Sequence, residues 1–144
     1  MKFEPLVFEK LYNANPARVW KAITDKDEMK DWYFELKDFK AETGFKFEFY
    51  GGPSKEKQYL HLCEITEVVP KKKLTYSWRY DGYKGISYVT FKLFDKGGQT
   101  LLKLTHEGLD SFPSDNPDLD SSNFKIGWAH ILNVSLASYL EKAK

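Results

Sequence analysis

The stretch LTYSWRY, Leu74 to Tyr80, decides the fold. Leu74, Tyr76, Trp78 and Tyr80 alternate with Thr75, Ser77 and Arg79. A period of two sends the two sets to opposite faces of a strand. The same rhythm lies upstream, where Phe45, Phe47 and Phe49 alternate with Lys46 and Glu48. Downstream it recurs at Val89, Phe91 and Leu93, and again at Leu102 and Leu104. Turn signals separate the runs: Glu42-Thr43-Gly44, Gly51-Gly52-Pro53, Pro70 with Lys71 to Lys73, Asp81-Gly82 and Lys96-Gly97-Gly98. The pattern predicts a long antiparallel meander with one dry and one wet face.

The flanks read differently. Residues Phe3 to Asn13 suggest a strand with broken alternation. In NPARVWKAIT, Asn15 is a good N-cap and Pro16 suits the first helical position, where its missing N–H costs nothing. Val19, Trp20 and Ile23 are spaced to share a helical face, and a second short helix is predicted from Asp27 to Trp32 after a break at Thr24-Asp25. Residues 110–123 form a Pro- and Asp-rich loop, longer than a typical connection and expected to act as a lid or rim. Ser122 or Asn123 is expected to cap a last helix over about Phe124 to Lys142, with Phe124, Trp128, Ile131, Leu132, Ser135, Leu136, Tyr139 and Leu140 on its apolar face. The order is strand, two short helices, a run of strands and one long helix. A curved antiparallel sheet wrapped around that C-terminal helix buries every dry face and leaves a cavity between them, an α+β arrangement.

At 144 residues the chain is expected to form one domain, residues 1–144. Aromatics make up 17% of it, a share that fits both a β-rich core and a ligand cavity. The formal net charge of +1 does not suggest a nucleic-acid partner. One cysteine, Cys63, excludes an intramolecular disulfide and fits a reducing compartment. MKFEPLVFEKLYN holds no apolar run long enough for a signal peptide, and no stretch approaches a membrane span. The expectation is a soluble cytoplasmic protein.

Several stretches together resemble the SRPBCC/START-type helix-grip superfamily, in particular stand-alone domains similar to the C-terminal domain of the heat-shock chaperone ATPase activator. They are Asn15 to Thr24 with Met29 and Trp32; Gly44 to Phe47; Glu67-Val-Val-Pro70 with Leu74 to Trp78; Val89 to Phe91 with Thr100 to Gly108; and Gly127-Trp128 with Leu132 and Leu140. The resemblance covers essentially the whole chain. It implies a helix-grip fold. For function it implies several classes, since relatives bind lipids, sterols, polyketides or plant hormones, some are cyclases, and one branch stimulates a chaperone ATPase.

The chain's own chemistry is sparse. His106 and Glu107 are adjacent, yet strand periodicity splits them: His106 continues the row of Leu102 and Leu104, and Glu107 faces water unless Gly108 marks a bulge. His106 reads as a satisfied core or wall histidine, as a ligand contact, or as an acid or base. His130 falls on the far side of the last helix. His61 and Cys63 share a strand face, but no third or fourth ligand is nearby, so neither a metal nor any cofactor is expected. Cys63 lacks the base and electropositive setting of a nucleophile. Lys71-Lys72-Lys73 reads as a solvated, edge-protecting run, and the aspartates of the 110–123 loop do not follow a calcium-loop spacing. No glycine-rich phosphate loop, nucleophile elbow or HExxH motif is present. The leading expectation is a module that binds a small hydrophobic or amphipathic molecule. Its walls are Trp20, Phe47, Tyr76, Trp78, Phe91, His106, Trp128 and Leu132; the lead to it is the aromatic face of Tyr76, Trp78 and Tyr80, with Tyr88 on a neighbouring strand. The alternatives are an interaction protein that modulates a chaperone ATPase, and an enzyme of cyclase or hydrolase type.

Overall fold

The computed structural model describes residues 5–33, 36, 38–51, 58–112 and 121–142. Within them, one six-stranded antiparallel sheet runs in the order β1-β6-β5-β4-β3-β2. The strands are β1 (Leu6–Tyr12), β2 (Lys46–Gly51), β3 (Tyr59–Val69), β4 (Lys73–Tyr80), β5 (Ser87–Asp95) and β6 (Thr100–Glu107). Helices α1 (Pro16–Thr24) and α2 (Lys26–Trp32) follow β1. The C-terminal helix comprises α3 (Ser121–His130), a π-helical turn (Ile131–Ser135) and α4 (Leu136–Lys142). The antiparallel meander is the one that the alternation predicts, and the whole is the α+β helix-grip arrangement that the resemblance implies.

Local chemistry sets the helix starts. The Asn15 Oδ1 accepts the Arg18 backbone N–H at 2.9 Å, with Pro16 at the first helical position. The Asp25 Oδ1 accepts the Asp27 N–H at 2.9 Å, so α2 begins at Lys26, one residue before the expected start. The C-terminal helix begins at Ser121, and Ser122 and Asn123 therefore lie inside its first turn rather than at its cap. Of the loop expected as a lid, residues 113–120 lie outside the described residues, and Leu109–Ser111 form a 3₁₀ turn.

Strand β3 is the longest, at 11 residues, and is the one that alternation marks least. His61, Cys63 and Ile65 are buried on its inner face, but Leu60 and Leu62 are half-buried on the outer one. A register shift between Ile65 and Glu67 leaves Thr66 unpaired, which adds local twist to the sheet.

The buried stripe of the last helix is Phe124, Trp128, Leu132, Leu136 and Leu140, every fourth residue. In an α-helix each step of four overshoots a full turn by about 40°, so such a stripe would rotate off the sheet. The wider i→i+5 turn at Ile131–Ser135 takes roughly one residue more per turn and cancels much of that drift. Tyr12 marks the place: its hydroxyl donates to the Leu132 carbonyl at 2.6 Å. Farther along, the Tyr139 hydroxyl donates to Glu28 Oε1 at 2.8 Å, and Arg18 Nη1 meets the same oxygen at 2.6 Å. These contacts fasten the helix to β1 and to the α1–α2 pair.

Replacing Tyr12 by Phe removes only the hydroxyl and leaves a buried helical carbonyl short of a partner. Urea unfolding should show a loss of about 1–2 kcal/mol. A loss below about 0.3 kcal/mol would mean that the π turn is held by packing alone.

Candidate functional site

The β5–β6 register runs without a break through Val89 opposite His106 and Tyr88 opposite Glu107. Gly108 therefore marks no bulge, His106 points inward at 0% exposure, and Glu107 is exposed. Tyr88 is also on the outer face, 37% exposed, and does not join the aromatic wall.

Both ring nitrogens of His106 are engaged. The Trp128 indole N–H reaches Nδ1 at 2.9 Å. An indole can only donate, so Nδ1 is the acceptor and the ring proton of the neutral imidazole sits on Nε2. That N–H donates to Ser87 Oγ at 2.8 Å, and Ser87 in turn donates to the Trp78 carbonyl at 3.0 Å. The result is a one-directional hydrogen-bond relay from the C-terminal helix, through β6 and β5, to the backbone of β4. Burial lowers the His106 pKa to about 3, which keeps the ring neutral. The space in front of the imidazole holds the rings of Phe124 (5.1 Å between centroids), Trp78 (5.4 Å) and Trp128 (6.0 Å).

Two glycines let the chain close around this relay. Gly108 has a φ of 87°, and Gly85 has a φ of 107° with so little room that a Cβ would lie 2.5 Å from the Ser111 carbonyl oxygen. Ser111 Oγ accepts the Ile86 N–H at 2.9 Å, pinning the segment just before Ser87.

The other expected wall residues are mostly neighbours. Phe47 and Tyr76 meet edge-on at 5.2 Å, Tyr76 and Phe91 lie 6.1 Å apart, and Phe91 and Trp128 also lie 6.1 Å apart. Trp78 and Trp128 are separated by 5.8 Å. Leu132 is buried below them, whereas Trp20 is half-buried on α1 and makes no ring contact with this group among the described residues. Tyr33, which follows α2, joins unpredicted: its ring stacks on Trp128 at 6.1 Å and its hydroxyl lies 2.8 Å from that of Tyr76. Burial pushes both phenols up, so both stay protonated. Ser87 was also missed, although it extends the Val89, Phe91, Leu93 row by one step. Nothing in the sequence marks Tyr33, the residue at which α2 ends.

His61 and Cys63 are both buried, as strand neighbours of the same parity should be. His61 is packed by Phe49 (4.6 Å, stacked), Tyr80 (4.7 Å) and Trp78 (4.9 Å), and burial lowers its pKa to about 4. Burial pushes the Cys63 thiol up, away from the reactive thiolate. Among the described residues no group of three or more His, Cys, Asp or Glu side chains is placed to hold a metal. No described helix is long and apolar enough to cross a membrane. His130 is exposed. On the outer face, a groove of about 740 Å³ crosses β2, β3 and β4, lined among others by Glu48, Tyr50, Leu62 and Arg79.

The pH dependence of stability follows from the neutral histidines. His106 ionises near 6.5 when unfolded and at about 3 when folded, so between those values the unfolded chain binds the extra proton. Its contribution is complete above about pH 6.5 and falls on acidification, by up to about 1.4 kcal/mol per pH unit. His61, with its pKa lowered to about 4, acts in the same direction. Urea unfolding of His106→Gln should therefore lose less stability than the parent between about pH 7 and pH 5. Equal losses would contradict a buried neutral His106.

The family comparison fits this architecture. The model of the family described as "Activator of Hsp90 ATPase homolog 1-like protein" matches residues 13–141. Among solved structures, protein MLL2253 from Mesorhizobium loti is similar with a TM-score of 0.79 at 24% identity, covering 98% of this chain and 99% of that one. CV1439 from Chromobacterium violaceum has a TM-score of 0.80 at 21% identity, covering 95% and 96%. CalU16 from Micromonospora echinospora has a TM-score of 0.73 at 27% identity, covering 94% and 75%. No curated protein matches. The chain belongs to the Activator of Hsp90 ATPase homolog 1-like family, with the helix-grip fold.

Proposed function

We propose that residues 1–144 act as one helix-grip domain that binds a small hydrophobic or amphipathic molecule between the C-terminal helix and the inner face of the sheet. The observation that carries this reading is the Tyr33–Tyr76 hydroxyl pair, 2.8 Å apart within a wall of Phe47, Phe49, Phe91 and Trp128 rings. Aromatic rings supply apolar area, and two neutral hydroxyls supply a polar handle that fixes orientation. Phe47, Tyr76, Trp78, Phe91 and Trp128 form the wall, with Leu132 at its margin. His106 acts through this wall: with both nitrogens engaged, it sets the position of Trp128 and leaves ligand orientation to the hydroxyls. Trp20 contributes from behind, by packing α1 on the core.

Modulation of a chaperone ATPase is the second reading, and the family match is what favours it. An enzymatic reading has less support, because burial disfavours both the imidazolium of His106 and the thiolate of Cys63.

Native mass spectrometry and solvent extraction of the purified protein test the binding reading. The expected result is a discrete small molecule with an apolar body and a polar group. Rebinding of that extract should weaken about fivefold in Tyr33→Phe, the loss of roughly one hydrogen bond. Empty protein, together with no saturable uptake of the fluorescent probe anilinonaphthalene sulfonate, would refute it. Stimulation of a chaperone's ATPase rate by empty protein would favour the second reading instead.

A further inference from the structure

The outer face of the sheet, opposite the proposed ligand wall, carries an arrangement that the sequence hides. Cross-strand register places Lys73 beside Lys92 and Lys92 beside Lys103. Lys92 and Lys103 each lie between buried neighbours on their own strands, and Lys73 opens β4 just before buried Leu74, so all three point outward. Like charges directly opposite one another on a sheet are destabilising. Among the described residues only Lys73 of these three has an ion pair, to Glu67 at 2.9 Å. The row ends at Val69 on one side and at Glu9, opposite Lys103, on the other.

The rows beside it are ordered too. On one side Phe94, Leu101 and Leu11 stand in register, with Phe94 42% and Leu11 49% exposed. On the other side stand Thr75, Thr90 and Thr105. A groove of about 690 Å³ follows the lysine end of this surface, lined by Val69, Lys71, Lys72, Lys92, Phe94 and Lys96 among others. Lys71 is the one non-glycine residue with positive φ among the described residues, at 65°. It occupies the third position of a turn closed by the Lys72 N–H to the Val69 carbonyl at 2.9 Å, where glycine or asparagine is usual. The sequence thus tolerates backbone strain and side-by-side ammonium groups on a chain whose total charge is only +1.

We infer that this face docks an acidic segment of a partner protein, one that carries apolar side chains beside its carboxylates. Adjacent strands are about 4.8 Å apart, so the three lysines span about 10 Å. Carboxylates at i and i+4 of a helix stand about 6 Å apart and follow such a row across the strands. The apolar stripe of the same helix then lies on Phe94, Leu101 and Leu11, about 7 Å away along the strands. Glu67 and Glu9 bound the strip to the width of a single segment. A membrane or a nucleic acid would extend its charge over both carboxylates.

The test uses the full chain and a fluorescein-labelled helical peptide with Glu at i and i+4 and a leucine stripe beside it. Fluorescence anisotropy at low salt should show saturable binding that falls about tenfold when the Glu residues become Gln. The double variant Lys92→Glu/Lys103→Glu should weaken binding by about tenfold or more, whereas Lys30→Glu/Lys40→Glu, with the same net charge, should change it less than about twofold. Lys92→Glu alone should raise the thermal unfolding midpoint by about 2 °C, since it turns two repulsive neighbours into attractive ones. Lys92→Glu alone should also weaken peptide binding by about fivefold, and a binding defect in this more stable variant cannot come from misfolding. The inference is overturned by absence of peptide binding, by equal losses in the two double variants, by a lowered midpoint for Lys92→Glu, or by tighter binding to phosphatidylserine vesicles or oligothymidylate than to the peptide. None of these outcomes depends on whether the interior holds a ligand.

Discussion

The contact on which the rest of the site depends is the Trp128 indole N–H donating to His106 Nδ1. It is the only direction that bond can take, and it fixes everything downstream: the proton on Nε2, the lone pair of Ser87 that receives it, and the Trp78 carbonyl that receives the Ser87 hydroxyl. A helix that merely rested on an apolar sheet could slide or rotate. This relay ties one side chain of the helix to three strands at once. A buried polar network that is fully satisfied rigidifies a core, whereas a half-satisfied one costs stability. No buried side-chain nitrogen or oxygen among the described residues lacks a partner.

The π turn answers the same demand from the helix side. A stripe of five residues spaced four apart cannot stay on one face of an α-helix. The turn at Ile131–Ser135 and the Tyr12 hydroxyl on Leu132 keep Leu136 and Leu140 over the sheet after Trp128 has been fixed by His106. Anchoring at Trp128, correction at Leu132 and the Glu28 cluster at Tyr139 are three stations along one helix. The two faces of the sheet then separate their tasks: the inner face holds aromatic rings and neutral hydroxyls, and the outer face holds charge.

Much of this was legible in the sequence. Alternation from Phe45 to Leu104 gave the meander, the spacing of apolar residues gave the helix face, and parity alone turned His106 inward and Glu107 outward. What escaped did so for physical reasons. Strand β3 carries Leu60 and Leu62 on its outer face, which blurs the period of two. The start of the last helix was placed too late because Ser122 and Asn123 resemble caps when the preceding turn is unknown. Tyr88 has the composition of a wall residue and the parity of a surface one. The partners of His106 lie 19 and 22 residues away and depend on register, as does the alignment of Lys73 with Lys92 and Lys103. Register joins residues from different strands, and a single sequence carries no direct record of it.

The protonation state of His106 is the most direct measure of the account. Nitrogen-15 NMR of the histidine side chains at about pH 5, well below the usual imidazole range, reads it without perturbing the protein. A neutral His106 with its proton on Nε2, and a Trp128 indole proton protected from solvent exchange, is the predicted result. An imidazolium at that pH, or a proton on Nδ1, would contradict the relay and with it the anchoring of the helix on the sheet.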